Sequence, residues 1–342
     1  MAGNAFVVLV MKDPRYACGA IALGQSLKAV GSQSARVCMC TDDISAEYRA
    51  ALAAIWRVVD VPYITQATVR LKSDKQRAYY ESWHDQSYTK WNCLGLVDYA
   101  RVVLCDADMI FVRNPDELFE LQGHAACYSN PWAEPWAEET QRGRGRGIHN
   151  PYLDARGCAP KHGELVSIDS VNEGAHGCRV GYGKNARTFP SFVGGGFLVL
   201  LNTSAERLDA FREWIARDEV FGTEYCCTST ADEITIAMFM LQYGPWRNID
   251  QGFAAIPWKK KWINAACTPI SGWHYFGKKL WDLPLEYPDY LVWWDIIEEY
   301  CAEYPMHAHL FARPTEDARR AVLNKRSADV VDATELLRSM ML

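Results

Sequence analysis

Two carboxylates one residue apart, Asp106 and Asp108, follow an apolar run in Arg101-Val-Val-Leu-Cys-Asp-Ala-Asp-Met-Ile-Phe-Val112. Val102 to Leu104 reads as a buried strand, and a second apolar run, Met109 to Val112, follows at once. Burying a polar group without a partner costs roughly 2–7 kcal/mol, and an ionised carboxylate costs more. In extended chain, residues i and i+2 share a face. Two carboxylates on one face at the carboxyl end of a strand suit a hard divalent cation with oxygen ligands. Open α/β sheets bind their ligands at that edge. The implied chemistry is a metal site that holds a phosphate-bearing substrate. A second acidic pair, Asp232-Glu233, opens the apolar helix Ile234 to Leu241. Acids in a first turn also favour the helix dipole, so capping by itself accounts for this pair. Phe192 to Leu201 (FVGGGFLVLL) is a strand with three glycines, Gly194 to Gly196. Glycine weakens a strand, which points either to a ligand lying against the backbone or to a bulge.

The elements that must position these groups alternate. Ala5 to Met11 is a buried strand. Tyr16 to Val30 is an amphipathic helix stopped by Gly31. Ala35 to Cys40 is a strand, Ser45 to Ile55 a helix with a Ser cap, and Arg57 to Val61 a strand ended by Pro62. Trp91 to Tyr99 reads as helical, Asn114 to Phe119 as a turn and short helix, Ala205 to Ile215 as a helix, and Pro288 to Tyr300 as an aromatic-rich helix. Strand–helix–strand order implies right-handed crossovers and a mostly parallel sheet with flanking helices. Residues 129–191, with Arg142-Gly-Arg-Gly-Arg-Gly147, read as a loop-rich insertion, and 301–342 as a C-terminal helical extension.

The 342 residues, 49% hydrophobic, support a sizeable core, and the net charge of −6 leaves no global basic field for nucleic acid. No apolar run reaches the ~18–20 residues of a membrane span. The twelve cysteines include no C-x-x-C pair, and Cys38, Cys40, Cys93 and Cys105 lie in apolar patterns. Without a visible secretory signal the expected location is the cytoplasm, with reduced thiols.

Four places in this order resemble the glycogenin-like glycosyltransferases of family 8. Ala5-Phe-Val-Val-Leu-Val-Met-Lys-Asp13 with Tyr16 and Gly19-Ala-Ile-Ala-Leu-Gly24 looks like the family's opening nucleotide-binding strand and helix. Thr89-Lys90 with Asp106-Ala-Asp108 resembles its Asp-x-Asp segment. Asp232-Glu233 sits where the family has an acid–amide pair. His274-Tyr-Phe-Gly277 with Lys278, Lys279 and Trp281 resembles its closing His-x-x-Gly motif. The insertion and Ser87-Tyr-Thr-Lys-Trp91 look closest to members from large DNA viruses, where the location would be the host cytoplasm.

The resemblance implies a GT-A, Rossmann-like fold in one domain over residues 1–300. It implies a hexosyltransferase that uses a UDP-sugar (UDP-glucose, UDP-galactose or UDP-N-acetylglucosamine), needs Mn²⁺ or Mg²⁺, and retains anomeric configuration. Its partners would be that donor and a hydroxyl acceptor on a glycan or protein, with a homodimer as an open assembly. Asp106, Asp108 and His274 would hold the metal, and mixed Asp/His ligation suits Mn²⁺. Leu9, Met11 and Tyr16 would frame the uracil and the Ala107 backbone the ribose. Lys90, Lys278 or Lys279 would meet phosphate or sugar, beside Gly277. Gly194 and Gly195 would lie against the donor sugar or acceptor. Asp232, with Glu233 and Lys90, would serve the reacting carbon, by covalent or front-face attack. Gly194-Gly195 replaces an Asn-Ser-like pair of the family, which removes side-chain hydrogen bonds to the sugar. The alternative is a non-catalytic module on a sugar-nucleotide fold, for binding or assembly.

Overall fold

The structure is a computed structural model. It describes residues 3–66, 81–127, 162–165, 178–180, 187–189, 198–217, 231–255, 269–275, 279–281 and 290–323. In chain order the elements are β1 (Gly3–Val10), α1 (Tyr16–Ala29), β2 (Ala35–Cys40), α2 (Ala46–Ala53), β3 (Arg57–Asp60), a 3-10 helix (His84–Gly95), β4 (Tyr99–Cys105), β5 (Met109–Phe111) and a 3-10 turn (Asp116–Glu120). Then come β6 (Ala125–Cys127), β7 (Cys178–Val180), β8 (Arg187–Phe189), β9 (Leu198–Asn202), α3 (Ala205–Ile215), α4 (Ala231–Met240), β10 (Arg247–Ile249), β11 (Gly272–His274), α5 (Tyr290–Glu303) and α6 (Glu316–Leu323). The result is an α/β fold with a mostly parallel central sheet and flanking helices. No helix among the described residues is long and apolar enough to cross a membrane.

The chain divides into two compact units that interleave in sequence. One comprises Met1–Ala5, Val61–Leu104 and Leu118–Asp250; the other comprises Phe6–Asp60, Cys105–Glu117 and Gln251–Leu342. In the second unit β1, β2 and β3 lie side by side. β2 and β3 run parallel, with Val37 opposite Arg57 and Cys40 opposite Asp60. α1 departs from the amphipathic reading, because it is buried at every position from Ala17 to Leu27. It packs against α2, α5 and β5. Small residues make that possible. A Cβ on Gly24 would meet Ile55 Cγ2 at 2.3 Å and Trp56 Nε1 at 2.5 Å. Trp56 Nε1 in turn donates to the Ala20 carbonyl at 2.8 Å. A helix enclosed on all sides shows no polar stripe, so periodicity misjudges it.

Ser45 stands at the start of α2 with extended backbone, but its side chain makes no capping bond. α5 buries Tyr290, Trp293, Trp294, Ile297 and Tyr300. Tyr300 reaches back to the Ala51 carbonyl at 2.8 Å, and Arg319 of α6 pairs with Asp295 and Glu298 at 2.9 and 2.6 Å.

In the first unit the strand order is β10-β6-β9-β4. β10 runs parallel to β6, and β6 antiparallel to β9. The segment expected as a helix from Trp91 to Tyr99 is instead the 3-10 helix His84–Gly95, and Tyr99 already belongs to β4. Its buried polar side chains find partners outside the helix ladder. Asn92 Nδ2 donates to the Pro62 and Thr89 carbonyls at 2.9 Å each, and Arg212 of α3 donates to Asn92 Oδ1 at 2.9 Å. Tertiary hydrogen bonding here overrides α-helical spacing. α3 is capped by Ser204, whose hydroxyl accepts from Arg207 N–H at 3.1 Å. Within the expected insertion, β7 and β8 form an antiparallel pair.

Candidate active site

The second unit builds an acidic loop against a short antiparallel ladder. β5 pairs with β11 so that His274 lies opposite Met109 and Gly272 opposite Phe111. The Tyr275 N–H donates to the Asp108 carbonyl at 2.9 Å, and the His274 N–H to the Ala255 carbonyl at 2.8 Å. The Tyr275–Asp108 bond carries the pairing one residue beyond His274 and Met109, which brings His274 beside Asp108. Gly272 is required for this approach, because a Cβ there would stand 2.3 Å from the Phe253 carbonyl oxygen.

Asp106, Ala107 and Asp108 form a turn between β4 and β5 rather than extended strand. The two carboxylates therefore converge through the turn, not through strand alternation. His274 Nε2 lies 3.3 Å from Asp108 Oδ1 and 3.9 Å from Asp106 Oδ2. One ligand atom from each of the three residues falls within 4.8 Å of the others. Two ligands bound side by side to one ion at ~2.1 Å would be about 3 Å apart, which the 3.3 Å His274–Asp108 spacing approaches and the 3.9 Å His274–Asp106 spacing exceeds. The mixed oxygen and nitrogen donors suit a first-row divalent metal. Asp108 and His274 are 3% and 2% exposed, while the Asp106 side chain is 34% exposed, so of the three it is Asp106 that reaches solvent.

Lys279 completes the electrostatics. Its Nζ lies 2.5 Å from Asp108 Oδ2, the oxygen other than the one nearest His274. Burial by itself would raise the Asp108 pKa, but Lys279 and His274 outweigh it and hold the carboxyl well below the usual carboxylate range. Burial likewise opposes charge on Lys279, yet Asp108, Tyr16 and Asp106 together push its pKa up. Lys279 Nζ also sits 5.5 Å from the centre of the Tyr16 ring, and Tyr16 packs edge-on against Trp281 at 4.9 Å. Burial raises the Tyr16 pKa.

Gly19 seats the acidic loop on α1. A Cβ there would meet the Ala107 carbonyl oxygen at 2.4 Å and Trp281 Cζ3 at 2.7 Å. Backbone cannot rotate aside as a side chain can, and overpacking of this kind costs about 1–3 kcal/mol. Gly19→Ala is expected to bind Mn²⁺ roughly tenfold more weakly and to melt several degrees lower. Calorimetric titration with Mn²⁺ and thermal melts check this; wild-type values for both would contradict it.

The first unit holds the other ionisable pair. Lys90 Nζ lies 2.8 Å from Asp232 Oδ2, with the side chains 16% and 3% exposed. The approach lies off hydrogen-bond alignment, so this oxygen has no aligned donor among the described residues. Asp232 stands in the first turn of α4, as expected, and Glu233 follows it there. The other expected site residues are placed as follows. Leu9 is half-buried in β1 and Met11 half-buried just after it. Gly194, Gly195, Gly277, Lys278, the Glu233 side chain and the Arg142–Gly147 run lie outside the described residues. Cys18, Cys38, Cys40, Cys93, Cys105, Cys127 and Cys301 are free thiols, and all seven are buried. Sequence reasoning did not single out the contact of Gly19 with Ala107. Its only trace is a glycine inside a helix, which costs stability unless packing requires it.

No protein-family model matches the chain. It is 34% identical over 128 residues to uncharacterized protein R707 of Acanthamoeba polyphaga mimivirus, covering 37% of this chain and 43% of that protein. It is 31% identical over 128 residues to UDP-glucuronate:xylan alpha-glucuronosyltransferase 1 of Arabidopsis thaliana, covering 37% and 18%. It is 28% identical over 131 residues to glycogenin-1 of Caenorhabditis elegans, covering 38% and 30%. The match thus spans less than half of each relative's own length. Among solved structures, an active-site mutant of LgtC superposes with a TM-score of 0.50 at 15% identity, over 92% of this chain and 99% of that one. Over part of its length the chain is thus similar to glycogenin-1, to a plant glucuronosyltransferase and to a mimivirus protein, and its fold is the GT-A fold.

Proposed function

We propose that the protein is a metal-dependent, retaining glycosyltransferase that moves a hexose from a UDP-sugar to a hydroxyl on a glycan or protein. The observation that carries this reading is the Asp106, Asp108 and His274 cluster with Lys279 paired to Asp108. Such a cluster would hold one divalent cation next to one fixed ammonium, where a diphosphate would need both. A divalent ion held by these three residues would supply Lewis-acid stabilisation of the departing diphosphate. Lys279 adds a point charge for a phosphate oxygen. Asp108 orients Lys279 through one oxygen while offering the other beside His274. Tyr16, with Leu9 and Met11, frames the base. Asp232 meets the positive charge that develops on the sugar, or attacks it directly, with Lys90 2.8 Å from its carboxylate. The insertion and Gly194-Gly195 serve the sugar and acceptor side. We assign residues 1–300 to one catalytic domain on the same grounds.

The test is UDP release in Mn²⁺ from UDP-glucose, UDP-galactose, UDP-N-acetylglucosamine, UDP-xylose and, given the name of the plant relative, UDP-glucuronate. At least one donor is expected to release UDP, and chelation of the metal to abolish release. If no donor does so, and Asp106→Asn binds UDP as wild type does, the reading fails. Metal-independent UDP binding without turnover would instead identify a non-catalytic assembly module.

A further inference from the structure

A tight turn leaves the end of β1, where open α/β sheets take their ligands. Lys12 at its centre has φ +59°, and no other non-glycine residue among those described has positive φ. The Asp13 N–H donates to the Met11 carbonyl at 2.7 Å and closes a three-residue turn around it. A turn of this kind with positive φ at its centre is rare and strained, and a lysine gains nothing from it by itself. Something must hold it, and the structure shows what does. The Lys12 N–H donates to Asp43 Oδ2 at 3.0 Å, across 31 residues of sequence. Asp43 is itself steadied, since the Thr41 hydroxyl donates to its other oxygen. Thr41 is fully buried, and its N–H donates to the Val10 carbonyl at 3.3 Å. Beyond the turn, the Asp13 carboxylate takes the Arg15 N–H at 3.0 Å and its guanidinium at 2.7 Å. The Asp13 carbonyl accepts the Tyr16 N–H at 3.1 Å.

We infer that Asp43 is a positioning residue for the nucleotide base. It holds Lys12 in the left-handed region, and so sets where Met11 and Tyr16 stand on either side of the turn. Nothing in the local sequence assigns this role, because Asp43 lies on the loop after β2 and need not touch the ligand. The inference rests on the UDP-sugar reading above for the ligand, but not for the clamp.

Glycine adopts positive φ without support, which allows a rescue. Asp43→Ala is expected to weaken UDP and uridine binding by about tenfold each, roughly the effect of moving a ligand-framing loop. Mn²⁺ affinity without nucleotide should stay within twofold of wild type, which a general loss of structure would not permit. Adding Lys12→Gly to Asp43→Ala should return UDP and uridine affinity to within threefold of wild type. Unchanged nucleotide affinity in Asp43→Ala, or failure of Lys12→Gly to restore it, overturns the inference. If the wild-type protein binds neither UDP nor uridine, the donor reading falls and melting temperature decides the clamp. Asp43→Ala should then melt about 3 °C lower, with Lys12→Gly restoring it, and the absence of either change overturns the clamp.

Discussion

Asp108→Asn will bind Mn²⁺ at least roughly a hundredfold more weakly than wild type and release UDP about 10²–10³-fold more slowly. The substitution keeps the shape of the side chain and removes its charge. At this position the charge has two dependants. One oxygen faces His274 Nε2 at 3.3 Å, and the other faces Lys279 Nζ at 2.5 Å. An amide can offer its single oxygen to one of them only. The metal side loses an anionic ligand, and the Lys279 side loses the counter-charge that outweighs burial. Removing one member of a buried pair costs about 3–5 kcal/mol, because the other stays behind uncompensated. Lys279 is 26% exposed, so the lower end of that range applies. Adding Lys279→Met to Asp108→Asn should therefore restore most of the lost melting temperature while Mn²⁺ affinity remains low. The sign with pH follows from the depressed Asp108 pKa. Its contribution to stability is full above the unfolded value of about 3.9 and is lost as pH falls through the lower folded value. The stability gap between wild type and Asp108→Asn should shrink accordingly below about pH 4. Isothermal titration and melts across pH measure all of this. An Asp108→Asn protein with Mn²⁺ affinity within threefold of wild type would remove the metal site from the account.

Asp232→Asn separates a catalytic carboxylate from a structural one. The turnover expected is about 10²–10³-fold below wild type, with Mn²⁺ affinity unchanged. Geometry leaves two explanations for a buried Asp232. It either neutralises Lys90, at 2.8 Å, or serves the reacting sugar with Lys90 as its companion. Helix capping accounts for neither, since the carboxylate oxygen meets an ammonium from a different element. Double substitution decides between the two. Lys90→Met with Asp232→Asn removes both charges, so stability should recover relative to Asp232→Asn alone. Under the catalytic role turnover stays low in the double variant, because the carboxylate is still missing. Turnover that recovers together with melting temperature would show that Asp232 acts only by holding Lys90.

Local pattern carried much of the fold. β2 and α3 match their expected limits residue for residue, because Ala35–Cys40 and Ala205–Ile215 have a clear period and clear flanks. The segment after His84 did not follow its pattern. The partners of Asn92 are Pro62, Thr89 and Arg212, two of them distant in sequence, and no window of neighbouring residues can report them. α1 was legible as a helix and misread in its surroundings. Its small residues, Ala17, Gly19, Ala20, Ala22 and Gly24, are the signal that it is enclosed, and that signal has meaning only once α2, α5 and β5 are known to pack there.

The site divides in the same way. By itself the sequence determined the chemical types: paired carboxylates at a strand end, a histidine followed by lysines, and an acid opening an apolar helix. Those types report chemistry because ionised groups beside apolar runs are costly without a purpose. Only the tertiary structure decided which groups meet. The β5–β11 ladder brought His274 to Asp108, Gly19 admitted the Ala107 backbone, Lys279 took the second oxygen of Asp108, and Asp43 held Lys12 in a conformation that lysine avoids. Each of these joins residues far apart along the chain, and each depends on distances of a few ångströms that packing sets and residue order does not.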